Sequence, residues 1–274
     1  MNFADISVVC PVFNSKEYVK KTVDSLINQD LLPREILFID DGSNDGTPEY
    51  LNQILSNEKI NVKWKIFNCN HNGPGAARNI GIKNAESSWI SFIDSDDIWE
   101  LNKLKKVNEI IKLNSEINFI CHNEKYLKSD GSISYLKYSK KYDKNKSLEK
   151  QLFLENIFST SAVTCKKNMF LNEYFFDENL MSAQDYEIWL RLSKKIKLYF
   201  LKDFLGTYIE RKGNITSSNW TFRLRNEIII LNRYKHYVNL FTYLNRLFYL
   251  ILRSCIKAII MKNNRIAKFI KDLK

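Results

Sequence analysis

Apolar positions in the first hundred residues alternate between short unbroken runs and stripes at three- and four-residue spacing. The runs Ile6 to Val12, Glu35 to Ile39, Val62 to Phe67 and Trp89 to Ile93 predict four strands. Between them, Asn14-Ser15 offers a cap for a helix with Val19, Val23, Leu26 and Ile27 on one face, and Thr47-Pro48 opens a second helix with cap and first-turn proline in order. A third helix runs from about Ala76 to Ala85, after Asn72-Gly73-Pro74-Gly75. Strand, helix, strand in steady succession is the pattern of consecutive βαβ units. The expected fold class is therefore α/β, a Rossmann-like, mainly parallel central sheet flanked by helices.

Beyond Trp99 the pattern loosens. It predicts a helix from about Glu100 to Asn114, a strand at Ile117 to Cys121, a hairpin turning at Asp130-Gly131, an exposed charged loop from Lys137 to Lys150 and a strand from Ser159 to Cys165. A helix starting near Ser182 faces Ile188, Trp189 and Leu192 inward and leaves Gln184 and Asp185 at its N-terminal turn. From Trp220 the chain reads as helix throughout, which suggests a division into residues 1–219 and a helical extension, 220–274. Leu240 to Met261 is strongly apolar, but Asn245, Arg246, Arg253 and Lys257 interrupt it well short of the roughly 18 to 20 residues needed to span a bilayer.

Charge sharpens the division. Of the net +11, the segment from Trp220 to Lys274 carries +10, with twelve Lys or Arg against Glu227 and Asp272. Its aromatics lie with Leu and Ile rather than interleaved as stacking platforms, so nucleic acid is not an expected partner. Two readings stay open for this extension: a basic amphipathic helix lying on an anionic membrane surface, or a helical hairpin packed on the α/β body with its basic face in solvent. The five cysteines are scattered, with no CxxC pair, which argues against a disulfide framework or zinc site and for a reducing compartment. Met1 to Asp5 shows no basic and then apolar leader. The expected location is the cytoplasm, with the inner face of the cell membrane as a peripheral site.

Chemistry concentrates where the predicted strands end. Trp89-Ile90-Ser91-Phe92-Ile93 runs into Asp94-Ser95-Asp96-Asp97, three carboxylates with no neighbouring Lys or Arg. Two Asp spaced by one residue can offer hard oxygens to Mg²⁺ or Mn²⁺ shared with phosphate oxygens. The plainer alternative is an Asx turn with Asp97 capping the helix near Glu100. Pro11-Val12-Phe13-Asn14, Asp40-Asp41-Gly42-Ser43 and Asn72-Gly73-Pro74-Gly75 follow the other three strands. All four loops therefore fall at the carboxyl edge of the sheet, where open α/β sheets bind ligands.

These stretches, with Phe38-Ile39-Asp40-Asp41-Gly42-Ser43-Asn44-Asp45-Gly46-Thr47, Ala76-Ala77-Arg78-Asn79-Ile80-Gly81 and Gln184-Asp185, resemble in order and spacing glycosyltransferase family 2, the inverting nucleotide-sugar transferases of GT-A fold; the likeness runs from about Ile6 to Ser217. The resemblance implies that Pro11, Phe13 and Asn14 meet the nucleotide, that Asp41 accepts from a uracil N–H, and that Arg78 meets the diphosphate. It implies Asp94 and Ser95 near the ribose, Asp96 as ligand of a divalent cation (Mn²⁺ or Mg²⁺), Asp185 as general base and Gln184 at the acceptor. Each has a structural alternative: turn chemistry for Asp41, an ordinary surface arginine for Arg78, a helix cap for Asp185. Two positions depart from the family. Gln184 replaces the glutamate many members carry, and Arg211 stands where members often have a metal-binding His; Arg cannot ligate a cation and could bind the diphosphate itself. His71, His122 and His236 show no ligand spacing. The implied activity is transfer of a sugar, as a hexosyltransferase, from a nucleotide-sugar donor, UDP-linked, to a hydroxyl of a glycan or lipid-linked oligosaccharide, in bacterial surface polysaccharide or lipopolysaccharide synthesis. A nucleotidyltransferase acting on sugar phosphates is the alternative within enzymes.

Overall fold

The computed structural model describes residues 3–57, 61–171, 174–211 and 220–272. The chain divides into two compact units, Met1–Arg211 and Lys212–Lys274. The expected boundary at 219/220 falls on residues outside the described ones.

In the first unit, strands β1 (Ala4–Val12), β2 (Pro33–Asp40), β3 (Lys63–Asn68) and β4 (Trp89–Phe92) alternate with helices α1 (Val19–Ile27), α2 (Thr47–Asn57) and α3 (Pro74–Asn84). The short β5 (Ile98–Trp99), α4 (Lys103–Leu113), β6 (Phe119–Leu127), β7 (Ile133–Leu136), α5 (Tyr138–Lys141), α6 (Leu148–Leu154), β8 (Val163–Lys166), α7 (Gln184–Leu192) and β9 (Leu198–Ile209) follow. One sheet contains all nine strands, in the order β3-β2-β1-β4-β8-β6-β9-β5, with β7 paired to β6. The β3-β2-β1-β4 half is parallel throughout. Beyond it β8 runs antiparallel to β4 and β6, β9 lies parallel to β6, and β5 is antiparallel to β9. The α/β class expected from the alternation is what the chain adopts.

Burial explains the order. In β1, Ile6, Val8, Cys10 and Val12 join Val19, Val23 and Leu26 of α1 and Leu104 and Val107 of α4 in one core. On the opposite face α3 sits so close that a Cβ added at Gly81 would lie 2.4 Å from Val9 Cγ1 and 3.0 Å from Ile39 Cδ1. A second core on the α7 side is aromatic: the Phe92 ring packs on Phe170, Phe176 and Trp189, and Phe119 on Phe158 and Trp189. Ile188, Trp189 and Leu192 are buried, as their spacing predicts.

Three local expectations change. The charged stretch from Lys137 to Lys150 is not one exposed loop: α5 forms within it and α6 begins there, burying Tyr138 and Leu148. The first helix starts four residues after its expected cap, because the Ser15 carbonyl accepts from the N–H groups of Tyr18 and Val19 in a preceding turn. The strand β9 was not predicted at all.

In the second unit, α8 (Trp220–Tyr234) and α9 (Leu240–Asp272) are linked by a 3-10 turn. Glu227 of α8 pairs with Arg223 (2.9 Å) and with Arg253 of α9 (2.6 Å). Phe241, Leu244, Phe248, Ile251, Leu252, Ile256 and Ile259 of α9 are exposed, at spacings that form one stripe. Among the described residues no helix is long and apolar enough to cross a membrane.

Candidate active site

The ends of β1, β2 and β4 and the start of α3 lie side by side because β2 and β4 flank β1 in parallel register. Asn14 takes a left-handed φ of +46°, and the loop after β1 is tied to the loop after β2: the Asn14 N–H donates to Ser43 Oγ, and the Asn44 N–H donates to Asn14 Oδ1, both at 2.9 Å. Phe13 is exposed and stacks on His71, with ring centroids 4.3 Å apart. Pro11 is buried in β1 opposite Ile39.

The two aspartates ending β2 have different work. Asp40 caps its own turn, accepting from the Ser43 N–H and hydroxyl. Asp41 reaches across to the glycine loop: its Oδ1 accepts from the Asn72 N–H (2.8 Å) and its Oδ2 from the Gly73 N–H (2.9 Å), with His71 Nδ1 2.8 Å from Oδ2. Gly73, at φ +89°, makes the turn into α3, and a Cβ there would lie 2.9 Å from Met181 Sδ, which precedes α7. Two residues on, Gly75 faces the side chain of Gln184. The glycine loop is thus pinned by Asp41 on one side and covered by the α7 entry on the other.

Arg78, one turn into α3, is almost completely buried and donates from Nη2 to Asp94 Oδ1 at 2.6 Å. Its Nε and Nη1 are buried without a hydrogen-bond partner, and the guanidinium lies over the Phe176 ring. Next to Asp94, Ser95 Oγ bonds Ser15 Oγ at 2.7 Å. Asp96 is paired with Arg211 Nε, at the end of the chain segment that continues β9. Burial, then the Asp94 charge, push the Asp96 carboxyl above its ordinary range, against the pull of Arg211. Asp97 is not a helix cap: it is buried, accepts from the Ser161 hydroxyl (2.6 Å) and the Ile209 N–H, and burial raises its carboxyl well above the usual range. It locks β9 to the carboxylate turn, and that lock carries Arg211 to Asp96.

Asp185 stands in the first turn of α7, half-buried, with Oδ2 accepting from Asn156 Nδ2 at 3.0 Å. Gln184 beside it is buried. Ser161, which also accepts from the Asp94 N–H, and Asn156 escaped the sequence reading, as did the place of His71 against Asp41. Their partners lie roughly thirty to seventy positions away in sequence, and no local pattern marks them. Residues 212–216 of the stretch around Arg211 lie outside the described residues.

The sequence model of Glycosyl transferase family 2 matches residues 7–170, the stretch that supplies the glycine loop, Arg78 and the carboxylate turn. The chain belongs to this family. It is 32% identical over 203 residues to an uncharacterized glycosyltransferase of Rickettsia conorii, a match covering 71% of this chain and 31% of that protein, so that it spans about a third of that relative's length. With the amylovoran biosynthesis glycosyltransferase AmsB of Erwinia amylovora it shares 28% identity over 201 residues, 71% of this chain and 65% of the relative. The structure of S. aureus TarS in complex with UDP-GlcNAc superposes with a TM-score of 0.65 at 22% identity, covering 84% of this chain and 66% of that one, a likeness of fold. Membership in this glycosyltransferase family removes the nucleotidyltransferase alternative.

Members of the family generally use a divalent cation. The donor set here fits one poorly. Among the described residues no three His, Cys, Asp or Glu side chains come together as a metal site, Asp96 Oδ2 is taken by Arg211, and Asp94 by Arg78.

Proposed function

We propose that this glycosyltransferase moves a sugar from a UDP-linked donor, with inversion, to a hydroxyl of a glycan or lipid-linked oligosaccharide during assembly of a bacterial surface polysaccharide. One observation supports this above others: the buried Arg78 guanidinium pairs with Asp94 through a single nitrogen and keeps its other two nitrogens without partners, at the start of a helix whose entry loop abuts Gln184. A diphosphate suits such a fork, since guanidinium recognises phosphate oxygens in pairs and the helix start adds its own positive end. Phe13, Asn14 and Asp41 would receive the uracil, with the Phe13–His71 stack beside it, and Asp94 and Ser95 the ribose.

In this reading the acceptor hydroxyl gives its proton to Asp185 while its oxygen bonds the anomeric carbon. The bond from that carbon to the diphosphate breaks at the same time, the electron pair leaves with the diphosphate, and the configuration inverts. The Asn156 amide holds the Asp185 carboxylate in place, and Gln184, its neighbour in the first turn of α7, would meet the acceptor. Kinship with a protein named for amylovoran biosynthesis supports a polysaccharide acceptor. The exposed apolar stripe of α9, in a segment of charge +10, supports docking on the anionic inner face of the cell membrane.

The test is Asp185→Asn with UDP-sugar donors and an extract-derived acceptor. Losing a general base costs roughly 10²- to 10⁴-fold in rate, while UDP affinity stays unchanged, and the wild-type product carries the anomeric configuration opposite to the donor. An Asp185→Asn protein as active as wild type, or a retained configuration, refutes the assignment.

A further inference from the structure

We infer that Arg211 takes the place of a divalent cation in this chain: together with Arg78 it binds the donor's diphosphate, and the donor is held without metal. The inference rests on the nucleotide-sugar reading above and goes further in naming how the leaving group's charge is met.

Three observations carry it. First, the carboxylate best placed to ligate a cation, Asp96, presents its Oδ2 to Arg211 Nε, and its side chain is only 12% exposed. A cation would have to displace that pair. Second, Arg211 uses one nitrogen of its fork on Asp96; its two amino groups have no hydrogen-bond partner among the described residues, and its side chain is 24% exposed. Arg78 shows the same economy, one nitrogen on Asp94 and the other two unbonded. Each guanidinium is thus anchored by a carboxylate while most of its donors stay uncommitted. Third, Arg211 is held in place: its guanidinium packs over the Tyr18 ring at 4.8 Å, and the Asp97 bond to the Ile209 N–H fixes the strand end two residues before it.

Charge points the same way. Asp94 and Asp96 are matched one for one by Arg78 and Arg211, so the two carboxylates do not form the uncompensated negative site that draws a divalent ion in. The diphosphate then meets two preorganised forks, geometry that suits phosphate oxygens and needs no metal to align them. As the bond to the anomeric carbon breaks, the charge gathering on the departing diphosphate falls on these two guanidinia.

The experiment is calorimetric titration of UDP into the full chain, once in EDTA and once with Mn²⁺, for wild type and Arg211→Gln. Wild type is expected to bind with affinities within about threefold in the two buffers. Arg211→Gln is expected to lose roughly ten- to a hundredfold in EDTA, the worth of a charged hydrogen bond to phosphate, and to regain part of it with Mn²⁺ once Asp96 is vacant. A second reading needs neither nucleotide nor activity: the spin-resonance signal of free Mn²⁺ stays undiminished by wild type and is diminished by Arg211→Gln. Wild-type UDP binding that vanishes in EDTA and returns with Mn²⁺ overturns the inference and leaves the nucleotide-sugar reading standing. UDP binding in neither buffer overturns both.

Discussion

Gly81 is where a single methyl group tests how the fold holds the donor site. It lies in α3, three residues past Arg78, and a Cβ built on it would stand 2.4 Å from Val9 Cγ1, 3.0 Å from Val9 Cγ2 and 3.0 Å from Ile39 Cδ1. Carbon atoms rest at about 3.5 to 4.0 Å, so Gly81→Ala forces α3 or the two strands apart by about 1 Å. Overpacking of this kind costs about 1 to 3 kcal/mol. Replacing glycine in a helix interior returns up to about 1 kcal/mol. The balance is a net loss of up to about 3 kcal/mol, about 1.5 kcal/mol at mid-range. The same displacement acts on the 2.6 Å bond from Arg78 to Asp94, which cannot survive a shift of that size without the side chain following. UDP affinity should therefore fall roughly tenfold, the equivalent of about 1.4 kcal/mol, although nothing at position 81 touches the nucleotide. Urea unfolding of wild type, Gly81→Ala, Val9→Ala and the double variant gives the decisive comparison. Val9→Ala removes the two methyl groups the new Cβ would strike, so Gly81→Ala should cost much less in that background. A Gly81→Ala protein as stable as wild type, or equal costs in both backgrounds, would show that α3 does not bear on β1 as tightly as described.

Three further outcomes follow from buried charge and exposed apolar surface. Lys103 is fully buried, its Nζ lies 3.0 Å from the centre of the Trp99 ring with no hydrogen-bond partner, and burial drives its pKa well down; Lys103→Met should leave stability unchanged or raise the thermal midpoint, and a drop of several degrees would refute this. Glu124, buried behind the carboxylate turn, has its pKa pushed by burial from 4.5 up to about 7, so the folded chain holds a proton the unfolded chain releases, and this contribution is full below pH 4.5 and lost as pH rises through 7. Melting midpoints of wild type should fall between pH 5 and 7 more steeply than those of Glu124→Gln; parallel curves would count against it. In α9, Phe248→Glu with Ile256→Glu should cut co-sedimentation with phosphatidylglycerol vesicles at least about tenfold, and unchanged binding would remove the membrane reading.

The parallel half of the sheet was legible in the sequence because each of its elements is local: an apolar run, a turn, an amphipathic stripe. α7 was legible for the same reason, since Gln184 and Asp185 precede a clean stripe of Ile188, Trp189 and Leu192. β9 was not. Its residues mix apolar side chains with Lys202, Asp203 and Gly206, and it is a strand because it pairs with β6, some eighty positions earlier, across a register shift at Asn123. The clustering of loops was readable, but not which carboxylate each arginine meets. Asp94 and Asp96 look alike in sequence, yet one receives Arg78 from α3 and the other Arg211 from beyond β9.

That difference decides the chemistry open to the turn. Taken as local sequence, Asp94-Ser95-Asp96-Asp97 is an unneutralised acidic mouth asking for a cation. In the folded chain Asp97 is withdrawn into the interior on Ser161 and Ile209, and each remaining carboxylate already faces a guanidinium from a different element. The arginines come from α3 and from the last residue of the first unit, sixteen and 115 positions from their partners, so the Arg211 pairing exists only when the sheet has closed through β9. In the proposed reading, a diphosphate arriving there would meet donors whose positions were fixed by folding, and preorganised charge of this kind stabilises a leaving group without reorganisation during the reaction. The same long-range closure that hid the Arg211 pairing from the sequence is what, in that reading, readies the turn for an anion.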